Sequence, residues 1–114
     1  MKLRNAHLAI VDRRKVADYL LNAAHPDNSG KAAFFTGLGY SLVTVEPLMQ
    51  ALRAVAATNE VVNHLDSVYG EKHVVDGLLP LHTGQGPGRM IRTVWFIDRG
   101  QDTPRLVTAY PSKG

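Results

Sequence analysis

The chain has 114 residues, of which 45% are hydrophobic and 20% are charged, and it contains no cysteine. This length suits one domain with a single core, and the composition is that of a globular chain rather than a disordered one. Charged residues and histidines break every apolar run before it reaches the roughly 18 residues of a membrane span. The first residues also lack the apolar centre of a signal peptide. We therefore expect a single domain over residues 1–114 and a cytoplasmic location, without disulfides or thiolate-ligated metals.

The net charge of +3 is distributed unevenly along the chain. Residues 1–20 and residues 81–114 each carry five Lys/Arg against two acidic residues, whereas residues 21–80 carry three against six. If the two basic ends meet in the folded protein, they form one basic face that attracts phosphate. The alternative interpretation is an ordinary charged surface that keeps the domain in solution.

Helical periodicity is confined to the first half of the chain. We predict helices over residues 13–21, 31–36 and 46–58. Asp12 is a suitable N-cap for the first helix and Ser29 for the second, while Pro47 fits the first turn of the third. Gly37 or Gly39 is expected to end the second helix in a left-handed conformation.

After residue 59, β-branched residues and short segments bounded by turn residues replace the helical period. We predict strands over residues 60–68, 72–79, 90–98 and 105–110. Their connections are too short for crossover helices, so the sheet should be an antiparallel meander. Trp95 lies among apolar residues in the third strand and is expected in the core. The predicted fold is therefore α+β, with three N-terminal helices (residues 12–58) packed on a four-stranded antiparallel sheet (residues 60–110).

Two residues near the second predicted helix carry groups suited to phosphate chemistry. His25 lies in a polar loop beside a proline, and an imidazole donates or accepts protons near neutral pH. Lys31 lies in the first turn of the helix, where backbone N–H groups favour an anion. Both residues also have an ordinary interpretation as surface side chains.

The last predicted strand places hydroxyl groups on one surface of the sheet. By strict alternation, Leu106, Thr108 and Tyr110 share one face of this strand. Arg92 of the preceding strand joins the two hydroxyls if the strand register places it on the same face. The alternative is that threonine and tyrosine are simply good strand formers.

No cofactor or metal is expected from the spacing of motifs. The segment around Lys31 lacks the glycine and the hydroxyl residue of a P-loop, and the glycines after residue 83 lack the spacing of a dinucleotide site. No two of the histidines show a spacing typical of metal ligands, and they are His7, His25, His64, His73 and His82. Arg89 and Arg105 are candidate contacts to an RNA phosphate backbone.

Five segments of the chain form a recognisable pattern, and they read NAHLAIVDRRKVADYLLN, HPDNSGKAAFFTGLGY, YGEKHVVDG, IRTVWFID and PRLVTAYP. Together they resemble a family of small bacterial domains of unknown function, found in cyanobacteria among others. The order of helices and strands, with a last strand that ends in VTAY, is also similar to the barnase, EndoU, colicin and RelE group of metal-independent ribonuclease toxins. This second resemblance implies an RNA-cleaving toxin that is neutralised by a small antitoxin or immunity protein encoded nearby.

Cleavage of RNA by 2′-hydroxyl transphosphorylation without a metal needs a base, an acid and a cation for the phosphorane. The resulting hypothesis makes His25 the general base or acid, lets Lys31 and Arg92 bind the scissile phosphate, and lets Thr108 and Tyr110 position it. RNA and an antitoxin-like protein are the expected partners, and no membrane is expected. Two alternatives remain open. One is a non-catalytic protein-binding module such as an antitoxin, immunity or adaptor protein, and the other is a small-molecule binding domain.

Overall fold

The computed structural model describes residues 1–21 and 29–112, the side chains of residues 29 and 30 excepted, and its architecture is α+β. The helices are α1 (Arg13–Lys15, continued by the π-helical turn Val16–Leu20), α2 (Ser29–Gly37) and α3 (Val45–Thr58). The strands are β1 (Val61–Ser67), β2 (Gly70–Leu79), β3 (Arg89–Asp98) and β4 (Arg105–Pro111). They form one antiparallel sheet in the order β1-β2-β3-β4. The predicted combination of three helices and a four-stranded antiparallel meander is confirmed.

The first helix begins as the sequence predicts and then departs from regular geometry. The Asp12 side chain accepts a hydrogen bond from the backbone N–H of Arg14 at 2.8 Å, which confirms the N-cap. The remaining residues form a π-helical turn, in which the Leu21 N–H donates to the Val16 carbonyl at 2.9 Å. Apolar spacing predicts a helix here, but it does not distinguish a regular turn from this wider one.

The third helix covers the sheet. Its buried apolar stripe includes Leu48, Leu52, Val55 and Ala56. Helix α3 contacts β2 and β3, helix α2 contacts β4, and helix α1 packs against α2 and α3. No helix within residues 1–21 and 29–112 is long and apolar enough to cross a lipid bilayer.

Trp95 is fully buried at the centre of the core, as predicted. Its indole N–H donates to the Thr93 hydroxyl at 2.7 Å, and that hydroxyl donates to the Val75 carbonyl at 2.7 Å. The polar atoms that come into the core with β3 are therefore hydrogen-bonded, which removes the cost of burying them unpaired.

The pairing of β3 with β4 contains a bulge. Val94 pairs with Thr108, whereas Trp95 pairs with Leu106, so that Val107 is an extra residue on β4. Leu106 is therefore buried with Trp95, while Thr108 lies on the opposite face of the sheet, beside Val94. The prediction that Leu106 and Thr108 share a face was wrong, because one extra residue inverts the alternation of side chains.

The turn between β1 and β2 requires glycine at residue 70. Gly70 has φ +146°, and a Cβ built on it would overlap the carbonyl oxygen of Ile97. We expect Gly70→Ala to lower the free energy of unfolding by about 2 kcal/mol or more, through strain and overlap with backbone. Gly37→Ala is the matched control, because an added Cβ at Gly37 meets nothing within 4 Å. Urea denaturation of both variants measures the difference, and equal stabilities would contradict the assigned turn.

Candidate functional site

Side chains from α1 and β4 surround the ammonium group of Lys31, which α2 supplies. Lys31 Nζ donates to Thr108 Oγ1 at 3.1 Å and to the phenolic oxygen of Tyr19 at 3.2 Å. The same nitrogen lies 4.9 Å from the centroid of the Tyr19 ring and 5.8 Å from that of Tyr110. We call Tyr19, Lys31, Thr108 and Tyr110 the lysine cluster.

The chain builds the lysine cluster where α1, α2 and β4 meet. Thr108 and Tyr110 are two residues apart on β4 and therefore project from the same face. Lys15 of α1 donates from its Nζ to the carbonyl oxygen of Val107 at 3.0 Å, so α1 is attached to the bulge itself. The basic N-terminal segment and the last strand thus come together here. A single basic face requires that these two parts of the chain meet.

Arg92 lies beside the lysine cluster, because β3 pairs it directly with Tyr110 of β4. On its other side it pairs with Asp76 of β2, and its Nε and Nη2 donate to the two carboxylate oxygens at 2.8 and 2.9 Å. This hydrogen-bonded carboxylate raises the pKa of Arg92 above its ordinary value, and Tyr110 adds a smaller effect. Arg92 therefore stays charged, with Asp76 as its counter-ion.

The two predicted phosphate contacts lie in different places relative to the lysine cluster. Arg105, at the opposite end of β4 from Tyr110, pairs with Asp98 at 2.8 Å. Arg89 is exposed at the start of β3, with its guanidinium carbon 5.8 Å from the centroid of the Phe34 ring. Arg105 is therefore removed from a group bound at Lys31, whereas Arg89 lies against α2, the helix that carries Lys31.

Of the predicted catalytic residues, the structure brings Lys31, Thr108 and Tyr110 together and places Arg92 beside them. His25 lies outside the described residues. The sequence reasoning did not identify Tyr19, which lies in the helix predicted over residues 13–21. The available signal was the residue type, because a tyrosine on an apolar stripe keeps a polar tip that requires a partner.

A second group of titratable side chains lies on β1 and β2. Among the described residues, the group able to hold a metal ion is His64, Glu71 and His73. A hydrogen bond with His73, followed by one from Arg4, holds the pKa of Glu71 below its ordinary value, so its carboxylate is ionised at neutral pH. Spacing along the chain did not reveal this group, because the two histidines meet across strands.

The geometry can be compared with known proteins. A family model described as "Domain of unknown function (DUF6883)" matches residues 2–113. The chain belongs to this family. The predicted membership in a family of domains of unknown function is thereby confirmed.

One solved structure shares the fold of this DUF6883 domain. It is a chain of the "Contact-dependent growth inhibition toxin - immunity protein complex from Klebsiella pneumoniae 342", with a TM-score of 0.71 at 18% identity. The match covers 96% of this chain and 98% of that one. No curated protein sequence matches the chain significantly. At this identity the likeness establishes a common fold and leaves the activity to the site itself.

The ion pair of Arg105 is open to a direct test. The hydrogen bond from Arg105 holds the pKa of Asp98 below its ordinary value. We expect Arg105→Gln to raise the pKa of Asp98 towards that value, as measured by NMR titration of the carboxyl carbon. Because a depressed folded-state pKa adds stability that is lost as the pH falls, the wild type should lose slightly more stability on acidification than the variant.

Arg89→Gln is the control for this titration, since Arg89 lies at the other end of β3 from Asp98. An unchanged pKa of Asp98 in Arg105→Gln would contradict the ion pair and would leave Arg105 available to a phosphate.

Proposed function

We propose that this domain is a metal-independent ribonuclease toxin that cleaves RNA by transphosphorylation at the lysine cluster. The observation that carries the proposal is the position of the Lys31 ammonium between the hydroxyls of Tyr19 and Thr108. Hydroxyl partners are neutral, so these hydrogen bonds orient the ammonium without cancelling its charge. A phosphate that approaches this site meets a fixed cation and hydroxyl donors at the same point.

The proposed reaction makes specific demands on such a site. The RNA 2′-hydroxyl loses its proton to a base, and its oxygen bonds to the adjacent phosphorus. The bond from phosphorus to the 5′-oxygen breaks, and that oxygen takes a proton from an acid. The products are a 2′,3′-cyclic phosphate and a free 5′-hydroxyl. Negative charge increases on the phosphoryl oxygens in the transition state, where preorganised cations and hydrogen-bond donors have their largest effect.

The residues of the site divide these tasks. Lys31 stabilises the charge on the phosphorane, and the Thr108 hydroxyl holds a phosphoryl oxygen. Arg92 is the second proposed contact to the scissile phosphate, through the N–H groups that Asp76 and Tyr110 do not occupy. Because Asp76 offsets the charge of Arg92, Lys31 supplies the main positive charge of the site. Tyr110 lies between Lys31 and Arg92 and offers a ring on which a base can stack. His25, six residues before Lys31 in the sequence, is the proposed general base or acid.

The shared fold supports a role in a toxin and immunity pair. That neighbour's title names a toxin and its immunity protein, and either component is compatible with fold similarity alone. The lysine cluster favours the toxin, because an immunity protein needs a binding surface rather than an oriented cation among hydroxyls. We accordingly propose RNA as the substrate, a small immunity or antitoxin protein as the partner, and the cytoplasm as the place of action.

The competing candidate is a non-catalytic protein-binding module, and the surface around β1 favours it. This edge strand and the following turn expose several apolar side chains, namely Val62, Leu65, Val68 and Tyr69. Exposed apolar residues on an edge strand suit the docking of another protein. A toxin also needs such a surface for its immunity protein, so only a test of cleavage separates the two functions.

Purified domain incubated with total RNA in the presence of EDTA tests the proposed activity. We expect cleavage that leaves 2′,3′-cyclic phosphate ends. In Lys31→Met the rate of cleavage should fall by about 100-fold or more, because the variant lacks the main positive charge that stabilises the phosphorane. Lys72→Met is the matched control, since Lys72 is an exposed lysine on β2. Intact RNA with the wild-type domain, or full activity in Lys31→Met, would favour the binding module.

Thr108→Val tests the hydroxyl separately from the charge. The variant keeps the shape of a β-branched strand residue, so we expect an unchanged melting temperature and a fall of about 10-fold to 100-fold in the rate of RNA cleavage. Thr83→Val, in the exposed loop between β2 and β3, is the control. Equal rates in the two variants would remove Thr108 from the site.

A further inference from the structure

Two histidines from adjacent strands meet at the sheet edge opposite the lysine cluster. The register of β1 and β2 pairs His64 with His73, and their rings stack with centroids 4.7 Å apart. Glu71 lies two residues before His73 and projects from the same face. Its Oε1 is 3.1 Å from His73 Nε2 and 3.9 Å from His64 Nε2.

We propose that His64, Glu71 and His73 bind a divalent transition-metal ion, and that zinc is the ion best suited to them. Two imidazoles and one carboxylate are a ligand set that zinc uses with a water molecule in the fourth position. This inference does not rest on the proposed ribonuclease function, because the site lies on other strands and involves other residues.

The distances between the ligand atoms are close to those that a metal requires. One ligand atom from each residue lies within 4.8 Å of the other two. Ligand bonds of about 2.0–2.1 Å in a tetrahedron separate neighbouring ligand atoms by about 3.4 Å. The Glu71–His73 distance already has this size, and the Glu71–His64 distance needs to shorten by about half an ångström. The ligand nitrogens of the two histidines, which lie within 4.8 Å of each other, must approach as well. The His64 side chain is 37% exposed, so a rotation of its ring can supply this movement.

His73 is buried, and its hydrogen bonding is incomplete. Its side chain is only 5% exposed, and its ring belongs to the core face, where β2 pairs it with Trp95. Nε2 contacts Glu71, but within residues 1–21 and 29–112 the buried Nδ1 has no hydrogen-bond partner. In a ring that holds a metal through Nε2, Nδ1 carries the proton and normally donates it to an outer partner such as a water. The unpaired Nδ1 is compatible with Nε2 as the ligand atom, and the proposal stands on the geometry of the three ligand atoms.

The surroundings of the site limit how tightly it binds. Arg4 donates to Glu71 Oε2 at 3.2 Å, which leaves Oε1 directed towards the histidines but places a positive charge near the ion. Asp66, whose Oδ1 is 3.4 Å from His64 Nε2, adds a negative charge at the exposed side. A bound ion would join β1 to β2, since each strand supplies at least one ligand. Binding of this kind stabilises the folded state.

Titration of ZnCl2 into the metal-free full chain, followed by calorimetry and thermal melting, tests the proposal. We expect one equivalent to bind, and a free zinc concentration of 100 times the Kd to raise the Tm by roughly 5–10 °C or more. His64→Ala should weaken binding by about 100-fold or more, because a ligand is lost from a three-ligand site. The exposed His7 provides the control variant, His7→Ala, which should bind like the wild type.

NMR of the imidazole nitrogens covers His73, whose replacement risks unfolding the domain. Zinc should shift the resonances of His64 and His73 together and leave those of His7 unchanged. The proposal is overturned if zinc does not bind, if His64→Ala binds it as the wild type does, or if the shifts appear at other histidines.

Discussion

The burial of Trp95 beneath α3 is the constraint from which the arrangement of the sheet follows. Because side chains alternate along a strand, an indole directed into the core forces Arg92 and Val94 onto the opposite face of β3. Cross-strand pairing then places Asp76 on one side of Arg92 and Tyr110 on the other. The polar row that crosses the sheet is thus a consequence of how its most apolar strand is buried.

The bulge at Val107 makes the core and the lysine cluster compatible. In a regular strand, the burial of Leu106 would also direct Thr108 into the core, where its hydroxyl would be separated from Lys31. The extra residue lets Leu106 stay buried while Thr108 and Tyr110 project on the face of Arg92. Lys15 bonds the carbonyl of the bulged residue, so the irregular backbone of β4 is held by a side chain from α1.

The two edges of the sheet carry different chemistry. At β4 the structure brings together an ammonium group, hydroxyls and aromatic rings, which suit the phosphate and the nucleobase of a nucleotide. At β1 it gathers imidazoles and carboxylates, which suit a metal ion, next to apolar side chains that remain exposed. Several basic residues outside the lysine cluster form ion pairs, including Arg13 with Glu46 and Arg105 with Asp98. The overall charge of +3 is therefore a poor guide to where the protein attracts anions.

Local patterns in the sequence determined the elements of this protein. The spacing of apolar residues sufficed for the third helix and the four strands, and the residue types of Asp12 and Trp95 sufficed for the N-cap and for burial in the core, because each depends on neighbours a few residues away. The residue types at Lys31, Thr108 and Tyr110 likewise indicated which groups could act on a phosphate.

Only the tertiary structure decided which of these groups meet. Arg92 lies opposite Tyr110, His64 opposite His73, and Tyr19 against Lys31, and each pair joins segments that are separated by turns or loops. Strand register depends on hydrogen bonds between distant segments, and a shift of one residue turns every side chain to the other face. The bulge at Val107 is such a shift, and no local pattern in the sequence predicts it. The sequence thus determined which chemical groups the protein has, and the packing of β4 against β3 and the helices decided their neighbours.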